Sequence, residues 1–285
     1  MSQTIKLVEC PRDAMQGWPT FIPTDRKIEY LNQLLKVGFD ILDFGSFVSP
    51  KAIPQLADTH EVVSKLQLND RTKLLAIIAN KRGAEDAIQY DQIHYLGFPF
   101  SISETFQQRN TNKSIDEALE DVAHIQNLCV QHHKEAMLYI SMGFGNPYND
   151  PYDTDTVFKY FQKLVDIGVT NIALADTIGV SNPENIKFIF ENVIPQFPTI
   201  NIGAHFHSTA ETRIEKLNAA YQAGCRSFDS AILGIGGCPM AKDELVGNMA
   251  TETVVSWAKQ QQILPNIDQE ALLKAQMIAS SIFNH

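Results

Sequence analysis

Residues 34–42 read LLKVGFDIL, and this short stretch decides how the chain is organised. A run with apolar residues at helical spacing, residues 24–37, meets Gly38, and a β-type run begins at Ile41. Glycine closes a helix because it enters the left-handed backbone region at no steric cost. The same joint returns as LVDIGVTNI at 164–172 and AYQAGCRSF at 220–228. A helix that stops at glycine and runs directly into a strand is the αβ joint of an α/β protein.

Outward from these joints the alternation extends over the chain. Candidate strands cover residues 5–10, 41–45, 74–79, 92–97, 137–142, 171–175, 202–207 and 227–232. Helical patterns cover 24–37, 114–131, 153–167, 183–193 and 212–223. Thr24 is the expected cap of the first of these. Ser114-Ile115-Asp116-Glu117 reads as a capping box, and Asn182 followed by Pro183 as a capped helix start. Eight such units predict an α/β fold, the (β/α)8 TIM barrel, over about residues 4–258. An extra C-terminal helix is expected at 268–283, within an extension over about 266–285, and the whole chain reads as one domain. A doubly wound open sheet is the alternative; it wants a glycine-rich phosphate turn after the first strand, and none stands there.

Composition excludes several classes. The 285 residues are 44% apolar and 20% charged, as in an ordinary globular protein. No stretch approaches the roughly 20 apolar residues of a membrane span, so no membrane association is expected. The first six residues lack a basic-then-apolar export pattern. A net charge of −10 argues against nucleic acid as a partner. Cys10, Cys129, Cys225 and Cys238 form no CxxC pair, and reduced thiols in the cytoplasm are expected.

A barrel of this kind carries its chemistry at the C-terminal ends of its strands. The polar residues there are Glu9, Arg12, Asp13 and Gln16, then Asp43 and Ser46, then Ser103 and Glu104, then Ser141. Asp176, Thr177, His205, His207, Cys238 and Asn248 follow. His205-Phe206-His207 is the sharpest feature, because residues i and i+2 of a strand point the same way. Such a pair also suits hydrogen-bonded core histidines. Asp13 and Asn248 at converging strand ends turn the reading toward a metal. Two imidazoles with oxygen donors suit Mg2+ or Mn2+ better than a closed zinc site. Arg12-Asp13 is either a surface ion pair or, at a barrel mouth, a guanidinium that stabilises charge on oxygen. Asp43 reads as a group that orients Arg12 or a ligand, or as a simple cap. The run Gly234-Ile235-Gly236-Gly237-Cys238-Pro239 is a mobile loop or a plain turn, and its thiol is reactive only if the thiolate is favoured.

At these residues a family resemblance becomes specific. VECPRDAMQ (8–16) resembles the VE(V)GPRDGLQ opening of 3-hydroxy-3-methylglutaryl-CoA lyases. FGSFVSPKAIPQLADTHEVV (44–63), SISETFQQRNTNKSI (101–115), LADTIGVSNP (174–183) and GIGGCPMAKDELVGNMATETVV (234–255) are similar to further blocks of that family, in order. The resemblance implies a metal-dependent carbon–carbon lyase of the DRE-TIM metallolyase group. Its members split 3-hydroxy-3-methylglutaryl-CoA into acetyl-CoA and acetoacetate, as in leucine degradation and ketone-body metabolism. It implies Asp13, His205, His207 and Asn248 as metal ligands. It implies Arg12 as electrophilic stabiliser, His205 also as proton donor, Cys238 as loop thiol, and Asp43 and Asp176 as site carboxylates. Gln16, Ser46, Ser103, Ser141 and Thr177 are the expected substrate contacts, an acyl-CoA the expected partner, and a homodimer the expected assembly. The chemistry fits: a metal that chelates the C3 hydroxyl oxygen acidifies it, and a cation beside the thioester stabilises the departing enolate.

Departures from the family pattern are Ser208 after the His-x-His pair, Asp43 in place of Glu, Met137 in place of Arg, and Ala14 in place of Gly. Gly17-Trp18 replaces Asn-Glu, and Met142-Gly143-Phe144-Gly145-Asn146-Pro147 replaces the cysteine loop after strand five. They lead to the expectation of an altered substrate-side shell. Two other readings stay open. One is a condensing enzyme related to citramalate or homocitrate synthase, disfavoured by the short chain. The other is a barrel that binds metal or acyl-CoA without catalysis.

Overall fold

The computed structural model describes residues 4–237 and 246–283. Eight strands form a closed parallel barrel in chain order. They are β1 (Lys6–Glu9), β2 (Ile41–Ser46), β3 (Lys73–Ile77), β4 (Ile93–Ser101), β5 (Glu135–Ser141), β6 (Asn171–Asp176), β7 (Asn201–Phe206) and β8 (Ser227–Ser230). Closure pairs Lys6 with Ser227 and Glu9 with Ser230. The glycine joints behave as expected: Gly38, Gly168 and Gly224 have φ of 91°, 97° and 99°. There a side chain would be strained, so the helix ends and the next strand starts. Val8, Cys10, Leu75, Ile77 and Tyr139 fill the barrel interior. The larger core lies between the strands and the surrounding helices.

Local capping follows the sequence in two places and departs in a third. Ser114 and Glu117 form the capping box of Ile115–Gln131. The Asn182 side chain accepts from the backbone of Glu184 and Asn185 at the head of Pro183–Gln196. Thr24, however, is itself helical, and Pro23 precedes it as the cap. The Thr24 hydroxyl donates instead to Asp58 at 2.8 Å, a partner 34 residues away that no local pattern reveals. Strand four is also longer than expected. It continues past Gly97 through Pro99 to Ser101, pairing with β5 up to Ser141. Pro99 lacks an N–H, but fully buried Phe98 and Phe100 on either side hold the strand in register.

The extra helix at the end, Gln269–Phe283, lies against Thr24–Val37. Phe283 meets Trp18 edge-on at 5.1 Å, so Trp18 is a contact of this helix. Among the described residues no helix is long and apolar enough to cross a membrane.

Glu9 points away from the barrel axis into the sheet–helix core. Its carboxyl accepts from the Ile232 N–H at 2.9 Å and meets the Thr251 hydroxyl at 2.5 Å. Burial pushes its pKa from 4.5 up to about 8, against the two hydrogen bonds. A raised pKa contributes stability that is complete below pH 4.5 and is lost as pH rises through 8. Glu9→Gln keeps both hydrogen bonds and removes the titration. The variant is expected to be more stable near pH 8 by roughly 1–3 kcal/mol, with a flatter stability–pH curve. Urea unfolding from pH 5 to 8 measures this; an unchanged slope would refute it.

Candidate metal centre and active site

A six-residue helix, Pro11–Gln16, follows β1 directly and turns Arg12, Asp13 and Gln16 over the C-terminal mouth of the barrel. Pro11 at its start needs no hydrogen-bond partner for a missing N–H. Arg12 is clamped from two sides. Its Nε and Nη2 donate to Asp43 at 3.0 and 2.6 Å, and its Nη1 donates to Asp13 at 3.0 Å. Burial alone would weaken the charge on Arg12, but Asp43 and then Asp13 outweigh it and hold the guanidinium protonated. Burial pushes Asp43 up to about 6 in spite of Arg12. Asp43 thus orients Arg12, one of the two roles its position suggests.

Asp13 accepts from Gln16 Nε2 at 2.6 Å and from Asn248 Nδ2 at 2.6 Å. Burial opposes its charge, yet Arg12, His205, His207 and Asn248 hold its pKa below the usual carboxylate range. A ligand atom from each of Asp13, His205 and His207 lies within 4.8 Å of the others. His207 Nδ1 donates to the Val246 carbonyl at 2.9 Å, and His205 Nδ1 lies 3.0 Å from Asp229 Oδ2. Both Nδ1 positions are engaged, so both Nε2 lone pairs are left for a cation, the arrangement that metal-ligating histidines adopt. Burial and the neighbouring His205 keep His207 below the ordinary histidine pKa. Burial also opposes charge on His205, but Asp229 and Asp13 outweigh it and raise that ring. This donor set fits a divalent cation. Asn248 presents its amide nitrogen to Asp13, so an oxygen ligand from it requires the amide to turn over.

Gly236 lies directly against the set. A β-carbon on Gly236 (φ +113°) would collide with the Asn248 amide and approach the Asp13 carboxylate to 3.0 Å. Only glycine therefore lets this backbone pass. Cys238 lies outside the described residues.

A cavity of about 210 Å3 opens beside these groups. Of the expected substrate contacts, Gln16, Ser141 and Thr177 line it, together with Arg12, Asp13, His205 and His207. Ser46 and Ser103 do not line it. Ser46 Oγ accepts from the Val48 N–H, and Ser103 caps the helix Glu104–Thr111 while donating to Asp150 at 2.5 Å. Asp176 is likewise turned away. Its Oδ2 accepts from Lys216 Nζ at 2.7 Å and from the Ser181 hydroxyl at 2.5 Å. Met137 lies near the start of β5, beside a second cavity at the opposite end of the barrel. It does not itself line the cavity that Arg12 borders, whereas Tyr139, two residues farther along the same face of β5, does. Ser208 is buried beside Met249.

Three residues escape the sequence reading. Lys216 sits fully buried on Arg213–Gln222 and donates to Asp176, the Gly179 carbonyl and the His207 carbonyl. It ties the end of β6 to the metal-ligand segment. Asp229 points inward on β8, and strand alternation from Ser227 would have found it. Tyr139 lines the cavity and meets the His205 ring at 5.5 Å.

Comparison with known proteins agrees with this geometry. The HMGL-like family model matches residues 5–278. A hydroxymethylglutaryl-CoA lyase of Bacillus subtilis is 35% identical over 272 residues, covering 95% of this chain and 90% of that one. A 3-hydroxy-3-isohexenylglutaryl-CoA/hydroxymethylglutaryl-CoA lyase of Pseudomonas aeruginosa is 32% identical, over 96% of this chain and 91% of its own. An HMG-CoA lyase structure from Acinetobacter baumannii, in complex with coenzyme A and 3-methylmalate, superposes with a TM-score of 0.92. Its identity is 32%, over 100% of this chain and 94% of that one. With its eight-stranded barrel, its converging Asp-His-His donors and a match along nearly its whole length, this chain belongs to the HMGL-like family.

Proposed function

We propose that this chain is a metal-dependent carbon–carbon lyase that cleaves 3-hydroxy-3-methylglutaryl-CoA to acetyl-CoA and acetoacetate. One observation carries the reading: Arg12, Asp13, His205 and His207 converge on one cavity at the C-terminal end of the barrel. Asp13, His205 and His207 would hold Mg2+ or Mn2+, with Asn248 after its amide turns. The bound cation supplies Lewis acidity toward the substrate's oxygen atoms.

The chain's own groups supply the rest. Arg12 keeps N–H groups beyond those used on Asp43 and Asp13, and the residue lines the cavity. These N–H groups stabilise the negative charge that develops on the thioester oxygen as the bond breaks. Asp43 prevents the guanidinium from swinging. His205, its Nδ1 fixed by Asp229, orients Nε2 toward the reacting centre. Thr177 Oγ1 accepts from the Met142 N–H at 2.9 Å and so fixes the loop after β5.

Apolar Val48, Ile53, Ile77 and Phe106 form one wall of the cavity. This favours a second reading in which the C3 branch is longer than methyl, as in the name of the Pseudomonas aeruginosa relative. A homodimer is part of the proposal, as is a reducing, cytoplasmic setting.

The test is turnover of purified protein with Mg2+ or Mn2+ on a panel of 3-hydroxyacyl-CoA thioesters, with products read by mass spectrometry. Acetoacetate and acetyl-CoA are expected with metal, and neither with excess chelator. With metal bound, turnover of a longer-branched thioester alone would replace the methyl substrate, and turnover of none would sink the lyase reading. Free CoA from acetyl-CoA and a 2-oxoacid would favour condensation.

A further inference from the structure

His205 has a second face. While one edge of its ring looks toward Asp13 and His207, the Nδ1 edge looks down the barrel toward Asp229, 3.0 Å away. Cys10, just past β1, projects into the same interior space. Its thiol, a His205 ring nitrogen and an Asp229 oxygen lie within 4.8 Å of one another. The thiol's hydrogen bond to the Val8 carbonyl, at 4.0 Å, is weak. Asp229 also borders the cavity of about 360 Å3 at the N-terminal end of the barrel, with Tyr95, Asn171 and Arg226. An ion therefore has a route to Asp229 from the face opposite the substrate.

We propose that Cys10, His205 Nδ1 and Asp229 form a second, inhibitory site for a thiophilic divalent cation of the zinc and cadmium class. A thiolate, an imidazole nitrogen and a carboxylate oxygen, with water as a fourth ligand, match the tetrahedral preference of such ions. The hard cations suited to the Asp13 set prefer oxygen and compete poorly for thiolate. On binding, the thiol proton is released to bulk solvent, the thiolate taking the cation. The cation takes the Nδ1 lone pair, and the proton that Nδ1 carried is placed on Nε2. Nε2 is the nitrogen that the catalytic set needs, so occupation of one site weakens the other through a single ring. The antagonism is reciprocal, as linkage requires.

Binding is tested apart from the lyase reading, so that the failure of one is distinguishable from the failure of the other. Cd2+ is titrated into the metal-free protein and followed by the ultraviolet thiolate-to-cadmium absorption. Wild type and Cys238→Ser are expected to show a saturable band, and Cys10→Ala and Cys10→Ser to lack it. Cys10→Ser preserves the side-chain size, so a folding failure in the alanine variant leaves the test intact. In a second measurement Mn2+ affinity is determined with and without Zn2+. Zn2+ is expected to weaken it at least roughly tenfold in wild type and to do so far less in Cys10→Ser. A cadmium band that survives loss of Cys10 overturns the proposal. So does equal zinc sensitivity in wild type and Cys10→Ser, because zinc would then simply occupy the Asp13 set.

Discussion

Arg12→Lys is expected to lower kcat by roughly 10²–10³-fold, or about 3–4 kcal/mol, while metal affinity changes little. The guanidinium does two things at once. It holds Asp43 through Nε and Nη2 and Asp13 through Nη1, and it keeps further N–H groups while lining the cavity. An ammonium is a point charge on a flexible stem and cannot reproduce a planar fork. Lysine keeps the positive charge, so the fold survives, but the charge sits in the wrong place for the developing oxyanion. Steady-state kinetics with Mn2+ titration and thermal unfolding separates these effects. A loss of kcat with unchanged Mn2+ affinity supports the role. A fall of less than about fivefold would show that the fork is not needed.

Lys216→Met carries the largest expected stability effect, a loss of roughly 3–5 kcal/mol. Lys216 and Asp176 are both almost fully buried and pair at 2.7 Å. Removing the cation leaves a carboxylate in the core, and the carbonyls of Gly179 and His207 also lose their donor. The double variant Asp176→Leu with Lys216→Met removes both charges and is expected to recover most of the loss, as apolar replacements of buried pairs do. Denaturant unfolding of the three variants measures this. If the double variant is as unstable as the single one, the pair does more than compensate its own charges. If it recovers stability and keeps full turnover, the expected place of Asp176 among the reacting groups is lost, and its work is to hold the His207 segment.

These two residues show where local reading stops. Gly38, Gly168 and Gly224 announce the barrel because a helix end, a left-handed residue and a strand start are neighbours in the chain. Arg12-Asp13 and His205-Phe206-His207 announce the centre because a strand's two-residue repeat converts spacing into direction. The existence and order of these elements, eight strands and a closing helix, follow from the same short-range forces, while the far end of β4 is set by its pairing with β5.

Other features arise only when distant segments meet. Lys216 reaches Asp176 across 40 residues, Asp229 reaches His205 across 24, and the Thr251 hydroxyl meets Glu9 across 242. Each is a buried polar group whose cost is offset only by a partner from another element, and no periodicity encodes that partner. The same holds for Ser103, which stands at a strand end but spends its hydroxyl on Asp150, 47 residues on, while Ser46 turns back locally to the Val48 N–H. A strand end places a residue near the mouth of the barrel. Whether its side chain turns to the cavity or to a neighbouring loop is set by the hydrogen bonds that closure of the barrel makes possible.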